Sequence, residues 1–213
     1  MKTRLKHALS RIGVFPVLDS VRRLPQSIGW VSQGCSGPAP PPIKRAIIKS
    51  YLRRYQLREF IETGTHLGDT LAYVAHDRCV SSHSIELDQY LYEQAKYRFR
   101  NWPNIRLYQG DSGEVLPRIV SQLSGPGLFW LDGHYSGGET AKGSVDTPIS
   151  TELQVIFDTR IRGHVVLIDD VQCFDGTNDY PFLDDLLATV RRNGEYRIEV
   201  SADIIRLTPE SIE

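Results

Sequence analysis

A mostly parallel α/β sheet is the fold class predicted by this 213-residue sequence, and three observations predict it. From Arg58 onward, strand-like and helix-like stretches alternate, the order that builds βαβ units. Two of the strand-like runs, LFWL and VVLI, are apolar at every position, as strands covered by helices on both faces are. The last two runs, YRIEVS and DIIRLT, stand too close together for a crossover, so they must pair as an antiparallel hairpin.

The elements follow in order. KTRLKHALSRI (2–12) spaces Leu5, Leu9 and Ile12 as a short basic amphipathic helix. GCSGPAPPP (34–42) reads as a turn-rich or polyproline linker, which sets an arm and linker over 1–42 apart from a domain over 43–213. Residues 43–55 return to helical spacing through Ile43, Ile47, Ile48, Leu52 and Tyr55, with their bases on the other face. Strands are then expected at 59–63, 80–87, 105–110, 128–132 and 164–169, and helices at 69–75, 89–99, 114–122, 148–157 and 181–192. The aromatics Tyr90, Tyr92, Tyr97, Phe99 and Trp102 are expected to pack into the core, and His7, His76, His83 and His164 to be structural.

Charge is divided along the chain. Residues 1–58 carry twelve Lys or Arg and one acid, a net +11, while the remainder carries −12. Either the basic arm meets something anionic, such as a phosphorylated substrate, a membrane surface or an acidic partner, or it packs on its own acidic domain or is merely solvated. Trp30 in the arm is a candidate dimer contact, and a homodimer is the expected assembly. Because the basic charge is confined to the arm, nucleic acid is not the expected partner. Three cysteines without CxxC spacing argue against a disulfide frame or a zinc site. The apolar stretch IGVFPVL is broken by Pro16, followed by Asp19, and lacks a small-residue cleavage site, so a cytoplasmic protein is expected.

Chemistry-bearing residues gather at the predicted strand ends. ETGTHLG (62–68) follows the first strand; its glycines, Gly64 and Gly68, are spaced GxxxG rather than the GxGxxG that cradles a pyrophosphate. Glu86 ends the second strand, 24 residues after Glu62, where a carboxylate suits two ribose hydroxyls. Asp111 and Ser112 follow the third strand; Asp111 could face a ligand, cap the next helix, or do both. LFWLDGHYSGGET puts Asp132 at the end of strand four, and HVVLIDD puts Asp169 and Asp170 at the end of strand five. Three carboxylates on neighbouring strand ends repel unless they are protonated or share a cation, and oxygen-only ligands favour Mg²⁺, with Mn²⁺ or Ca²⁺ as alternatives. The other reading has Asp169 or Asp170 capping a turn and Asp132 serving only a cofactor. No G-x-S-x-G, Walker or H-E-x-x-H pattern is present.

Taken in order, these motifs over residues 58–210 resemble the class I S-adenosylmethionine methyltransferases. In particular they resemble the metal-dependent O-methyltransferases of the macrocin and catechol type, and bacterial methyltransferases encoded among polysaccharide-building genes. The resemblance implies a Rossmann-like sheet, mostly parallel with an antiparallel C-terminal hairpin, plus a basic N-terminal extension. It implies S-adenosylmethionine as cofactor, held around Glu62, Gly64, Thr65, Gly68, Glu86, Asp111, Ser112 and Asp132. It further implies a metal on Asp132, Asp169 and Asp170, and methyl transfer to a hydroxyl of a small polar acceptor, favoured as a sugar, glycan precursor or nucleotide sugar. The chain departs from the pattern in three places. His66 stands where many members have a third glycine, the loop after strand four is longer, and Ser136 replaces the catechol-type lysine base. His134, with an ordinary pKa of about 6.5, is therefore the candidate general base beside Asp132, with Lys142 second. The rival readings are a metal-independent N- or carboxyl-methyltransferase, and a non-catalytic cofactor-binding module tethered by its arm.

Overall fold

The computed structural model describes residues 23–133, 147–193 and 196–210. Two helices come first, α1 (Leu24–Ser32) and α2 (Pro41–Arg54). The alternating part follows: β1 (Glu59–Thr63), α3 (Asp69–Ala75), β2 (Ser81–Glu86), α4 (Gln89–Phe99), β3 (Ile105–Gln109), α5 (Ser112–Val120), β4 (Gly127–Leu131), α6 (Ile149–Asp158) and β5 (Val165–Ile168). A 3₁₀ turn at Val171–Cys173, α7 (Leu183–Asn193), β6 (Tyr196–Ser201) and β7 (Ile204–Pro209) complete it.

These strands form one sheet in the order β3-β2-β1-β4-β5-β7-β6. Pairs among β1 to β5 are parallel, while β7 runs antiparallel to both β5 and β6. The hairpin inferred from two closely spaced β runs is therefore present, and it enters the sheet through its later strand.

The fully apolar central strands need cover on both faces, and the core is accordingly double. Ile61, Phe129, Leu131, Val166 and Ile168 pack with Leu116, Leu153, Ile156 and Val190 of α5, α6 and α7. Phe60, Leu128, Trp130, Val165 and Leu167 pack with Ile48 and Leu52 of α2, Leu71 of α3 and Phe99 of α4. Helix α2 thus belongs to the domain's core through Ile48 and Leu52, with Ile47 and Tyr55 partly buried beside them, but its bases do not all take the other face, since Arg45 is buried as well.

Several expectations require correction. Pro41 and Pro42 are not linker but the first turn of α2, positions where a missing N–H costs nothing and a fixed φ helps. Helix α1 falls within the stretch read as arm. Helix α5 starts at Ser112, two residues earlier than expected, because Asp111 caps it by accepting the Gly113 N–H at 2.9 Å. Tyr90 and Tyr97 are 71% and 54% exposed, so the α4 aromatics are not all core; Phe99 is the buried one. Arg100 lies over the Tyr97 ring, which suits an aromatic at the water boundary.

The structural assignment of two histidines holds. His83 is buried between Tyr108, at 3.1 Å, and Glu59, at 3.5 Å. His164 is buried beneath the β4 entrance, where its Nδ1 accepts the Gly127 N–H at 3.0 Å and its ring meets Phe129 edge-on. Cys35, Cys79 and Cys173 are all free thiols. Among the described residues, no helix is long and apolar enough to cross a membrane.

Burial pushes the His164 imidazole down from 6.5 to about 4. Its folded value lies below its unfolded one, so the unfolded chain binds the extra proton, and the stability it contributes is full above pH 6.5 and falls as pH drops toward 4. Urea unfolding should show His164 contributing a loss of roughly 1.4 kcal/mol per pH unit inside that window. His164→Asn, which keeps an acceptor but does not titrate, should be the less acid-sensitive protein; equal pH slopes for the two would contradict this account.

Candidate functional site

The site begins where the parallel ladder outlasts its strands by one residue. Gly64 N–H donates to the Ile85 carbonyl at 3.0 Å, Asp132 N–H to Thr63 at 3.2 Å, and Asp169 N–H to Leu131 at 3.1 Å. The residues that leave β1, β4 and β5 are thereby held on one line across the sheet. Strand order reverses between β1 and β4, and open α/β sheets bind ligands at the carboxyl end of such a reversal. Alternation along the strands places Glu62, Asp132 and Asp169 in the same parity as Phe60, Trp130 and Leu167, the face that α2 covers.

The three aspartates named from the sequence do converge. One carboxylate oxygen from each of Asp132, Asp169 and Asp170 lies within 4.8 Å of the other two. Asp170 reaches the group through a left-handed backbone, φ 57°, and its N–H donates to Asp169 Oδ1 at 2.9 Å. Into this cluster comes a residue that the sequence reading did not single out. Lys44, from the first turns of α2, places its Nζ 2.6 Å from Asp169 Oδ2 and 3.5 Å from Asp170 Oδ1.

The electrostatics follow from this crowding. Burial, then the charges of Asp169 and Asp170, hold the Asp132 carboxyl well above the usual carboxylate range. Asp169 is also raised, by burial first, with Lys44 pulling the other way. Burial works against the Lys44 ammonium, but Asp169, Asp170 and Asp132 outweigh it and raise its pKa. Three oxygen donors with an excess of negative charge are a fitting donor set for a hard divalent ion, and Lys44 offsets part of that charge.

The Gly turn lies directly beside the acids. Gly64 has φ +86°, and a Cβ there would stand 2.5 Å from the Asp132 carbonyl oxygen, so no side chain fits. Gly68, at φ +71°, precedes α3 and leaves room for the Phe99 ring. Glu62 is buried and accepts the Ser84 hydroxyl at 2.7 Å; burial pushes its pKa up to about 8 against that hydrogen bond. Thr65 turns its hydroxyl inward to Ser84, 2.7 Å away. Glu86 is aimed by two backbone donors, His66 N–H at 2.6 Å and Asp88 N–H at 2.9 Å, one on each oxygen. Each of those oxygens keeps a lone pair for a ligand hydroxyl. His66 itself adopts φ 47°, so the turn keeps a left-handed residue at the position where the sequence departs from glycine. Asp111 caps α5, and Ser112 is buried against Glu152.

Glu152 is a second residue not anticipated as part of the site. It sits on the buried face of α6 near Asp132, Gly133, Thr147 and Tyr180, and burial pushes its pKa up to about 7 against hydrogen bonds with Ser112 and Thr63. Among the described residues, one of its buried oxygens has no hydrogen-bond partner. Its signal was legible: an acid among Ile149, Leu153, Ile156 and Phe157 occupies a core position of the helix. Lys44 gave no such signal, since nothing local tells a basic helix face that acids lie opposite. The candidate bases His134 and Lys142 lie outside the described residues, as does most of the loop after β4.

No protein-family model matches the sequence, and no curated protein matches it significantly. Solved structures do match the fold. The Podospora anserina methyltransferase PaMTH1, bound to SAH, superposes with a TM-score of 0.58 at 13% identity, covering 81% of this chain and 80% of that one. This protein has a methyltransferase fold. The cofactor-bound protein Rv0187 from MTB gives 0.57 at 17% identity over 91% and 94% of the two chains. A Bacillus cereus O-methyltransferase in complex with SAH gives 0.53 at 14% over 84% and 86%.

The Lys44–Asp169 contact makes a measurable claim. In a chelator-containing buffer, a double-mutant cycle of Lys44→Met and Asp169→Asn by urea unfolding should return a coupling energy of about 1–3 kcal/mol, above the range of exposed ion pairs. A coupling near zero would mean that the pair is not formed in solution.

Proposed function

We propose that this protein is an S-adenosylmethionine-dependent O-methyltransferase, assisted by a divalent ion and acting on a hydroxyl of a small polar acceptor, with a sugar or glycan precursor favoured. One observation carries this reading: the Gly64 turn and the three-carboxylate cluster meet at the sheet's reversal point, with Gly64 against the Asp132 carbonyl. The shared fold with SAH-bound methyltransferases supports the cofactor.

S-adenosylmethionine supplies a methyl group already activated on a sulfonium, so the chain's task is alignment. Glu86, pinned by two backbone N–H groups, offers its remaining lone pairs to the ribose hydroxyls. Glu62 lies below the turn, where ionisation beside the cofactor's ammonium would relieve the penalty of its burial. The turn suits a ligand without a pyrophosphate, because it lacks the GxGxxG spacing and its two glycines are taken up by the Asp132 carbonyl and the Phe99 ring. Asp132, Asp169 and Asp170 would hold Mg²⁺, or Mn²⁺ or Ca²⁺, and such an ion lowers the pKa of a hydroxyl bound to it. His134 is the proposed proton acceptor, with Lys142 second.

A metal-independent transfer to nitrogen or carboxylate is the second reading, and the 2.6 Å contact of Lys44 with Asp169 favours it, since an ammonium already answers part of the acid charge.

Calorimetry separates the two. S-adenosylmethionine and S-adenosylhomocysteine should bind with Mg²⁺ and with EDTA alike, and a separate Mg²⁺ signal should vanish in the Asp169→Asn, Asp170→Asn variant. Cofactor binding without any metal signal would select the second reading, and no cofactor binding would overturn both. Protons give an independent readout. Free Glu62, at about 8, holds its proton at pH 7 and would lose it beside an ammonium. S-adenosylhomocysteine binding at pH 7 should therefore release up to one proton, fewer above pH 8.5, and Glu62→Gln should abolish the release.

A further inference from the structure

Lys44 occupies the place among the aspartates that a bound cation would share. Its Nζ bridges Asp169 Oδ2 and Asp170 Oδ1, and the charge of Asp132 acts on it as well. The two oxygens of Asp169 are both engaged, Oδ1 with the Asp170 N–H at 2.9 Å and Oδ2 with Lys44 at 2.6 Å. A divalent ion that draws on Asp169 Oδ2 or Asp170 Oδ1 must take that oxygen from the ammonium or share it, and one that uses the remaining lone pairs of the same carboxylates still stands close to the ammonium's charge. Like charges so close together repel, and a carboxylate pair cannot satisfy both fully.

We propose that Lys44 is a built-in competitor for the divalent ion, holding Asp169 and Asp170 when the ion is absent and swinging away when it binds. The inference rests on the metal-assisted reading above. The exchange is local. Ile48 and Leu52 anchor α2 in the core, so the four-carbon stem of Lys44 moves while the helix stays in place. By linkage, the ion's apparent affinity is the intrinsic affinity of the three carboxylates reduced by the strength of the Lys44 contact. Lys49, five residues further along the same helix, offers a control, because it lies over the Tyr73 ring while the ion pairs described to Asp169 and Asp170 are those of Lys44.

The test is Mn²⁺ binding to the full chain, followed by the electron paramagnetic resonance of free Mn²⁺. Lys44→Met should bind at least tenfold tighter than wild type. Lys44→Arg, which restores a cation, and Lys49→Met, which removes one from the same helix without touching Asp169, should both stay within about threefold of wild type. Equal binding by Lys44→Met and wild type would overturn the competition while leaving the metal site standing. So would an equal gain in Lys49→Met, which would trace the effect to the general field. Absence of Mn²⁺ binding in every protein would remove the metal reading itself, and the competition with it. A second measurement needs no variant. Acylation of the Lys44 amine in wild type, quantified by mass spectrometry, should rise severalfold when Mn²⁺ is added; an unchanged rate would overturn the proposal even if Lys44→Met does not fold.

Discussion

The approach of Gly64 to the Asp132 carbonyl is the constraint on which the candidate site depends. A side chain at that position would stand 2.5 Å from the oxygen, so glycine there is what lets β1 and β4 run side by side to their common end. The ladder then carries Asp132 and Asp169 out onto the same line, and Asp170 completes the group through one left-handed residue. The acidic cluster is thus positioned by main-chain hydrogen bonds rather than by its own repulsive chemistry.

Such positioning stores electrostatic tension. Buried carboxylates disfavour their charged form, and Glu62, Asp132, Glu152 and Asp169 all have raised pKa values with burial as the first cause. Four acids of this kind at one sheet edge serve stability poorly and ligand capture well, because an incoming cation or hydrogen-bond donor releases what the fold withholds. Lys44 answers part of that demand from within the chain, which makes α2 a contributor to the site as well as to the core.

Much of this was written in local pattern. Apolar runs such as LFWL and VVLI announced buried strands, and the closely spaced YRIEVS and DIIRLT announced the hairpin; these are short-range signals that need no knowledge of neighbours. Gly64, Glu86, Asp132, Asp169 and Asp170 were legible because strand ends in a parallel sheet lie together whatever the details. Lys44 was not legible, since its role depends on where α2 crosses the sheet, which no spacing within residues 43–55 reveals. Glu152 was legible in principle, as an acid at a core position, yet helical periodicity draws attention to the apolar residues around it. Pro41 and Pro42 misled for a physical reason: proline breaks a helix from within but starts one comfortably. Tyr90 and Tyr97 misled because an aromatic can cover a surface as well as fill a core.

The order of the last strands has a consequence for how the molecule is made. β7 lies between β5 and β6, with five of its six residues buried, while the earlier β6 takes the rim. As the chain emerges during synthesis, β5 is complete well before the strand that will cover its open side. Until β7 arrives, a fully apolar strand presents unpaired backbone groups to anything nearby. A sheet that formed as the chain emerged would be complete on one side and bare on the other until the hairpin closed that edge.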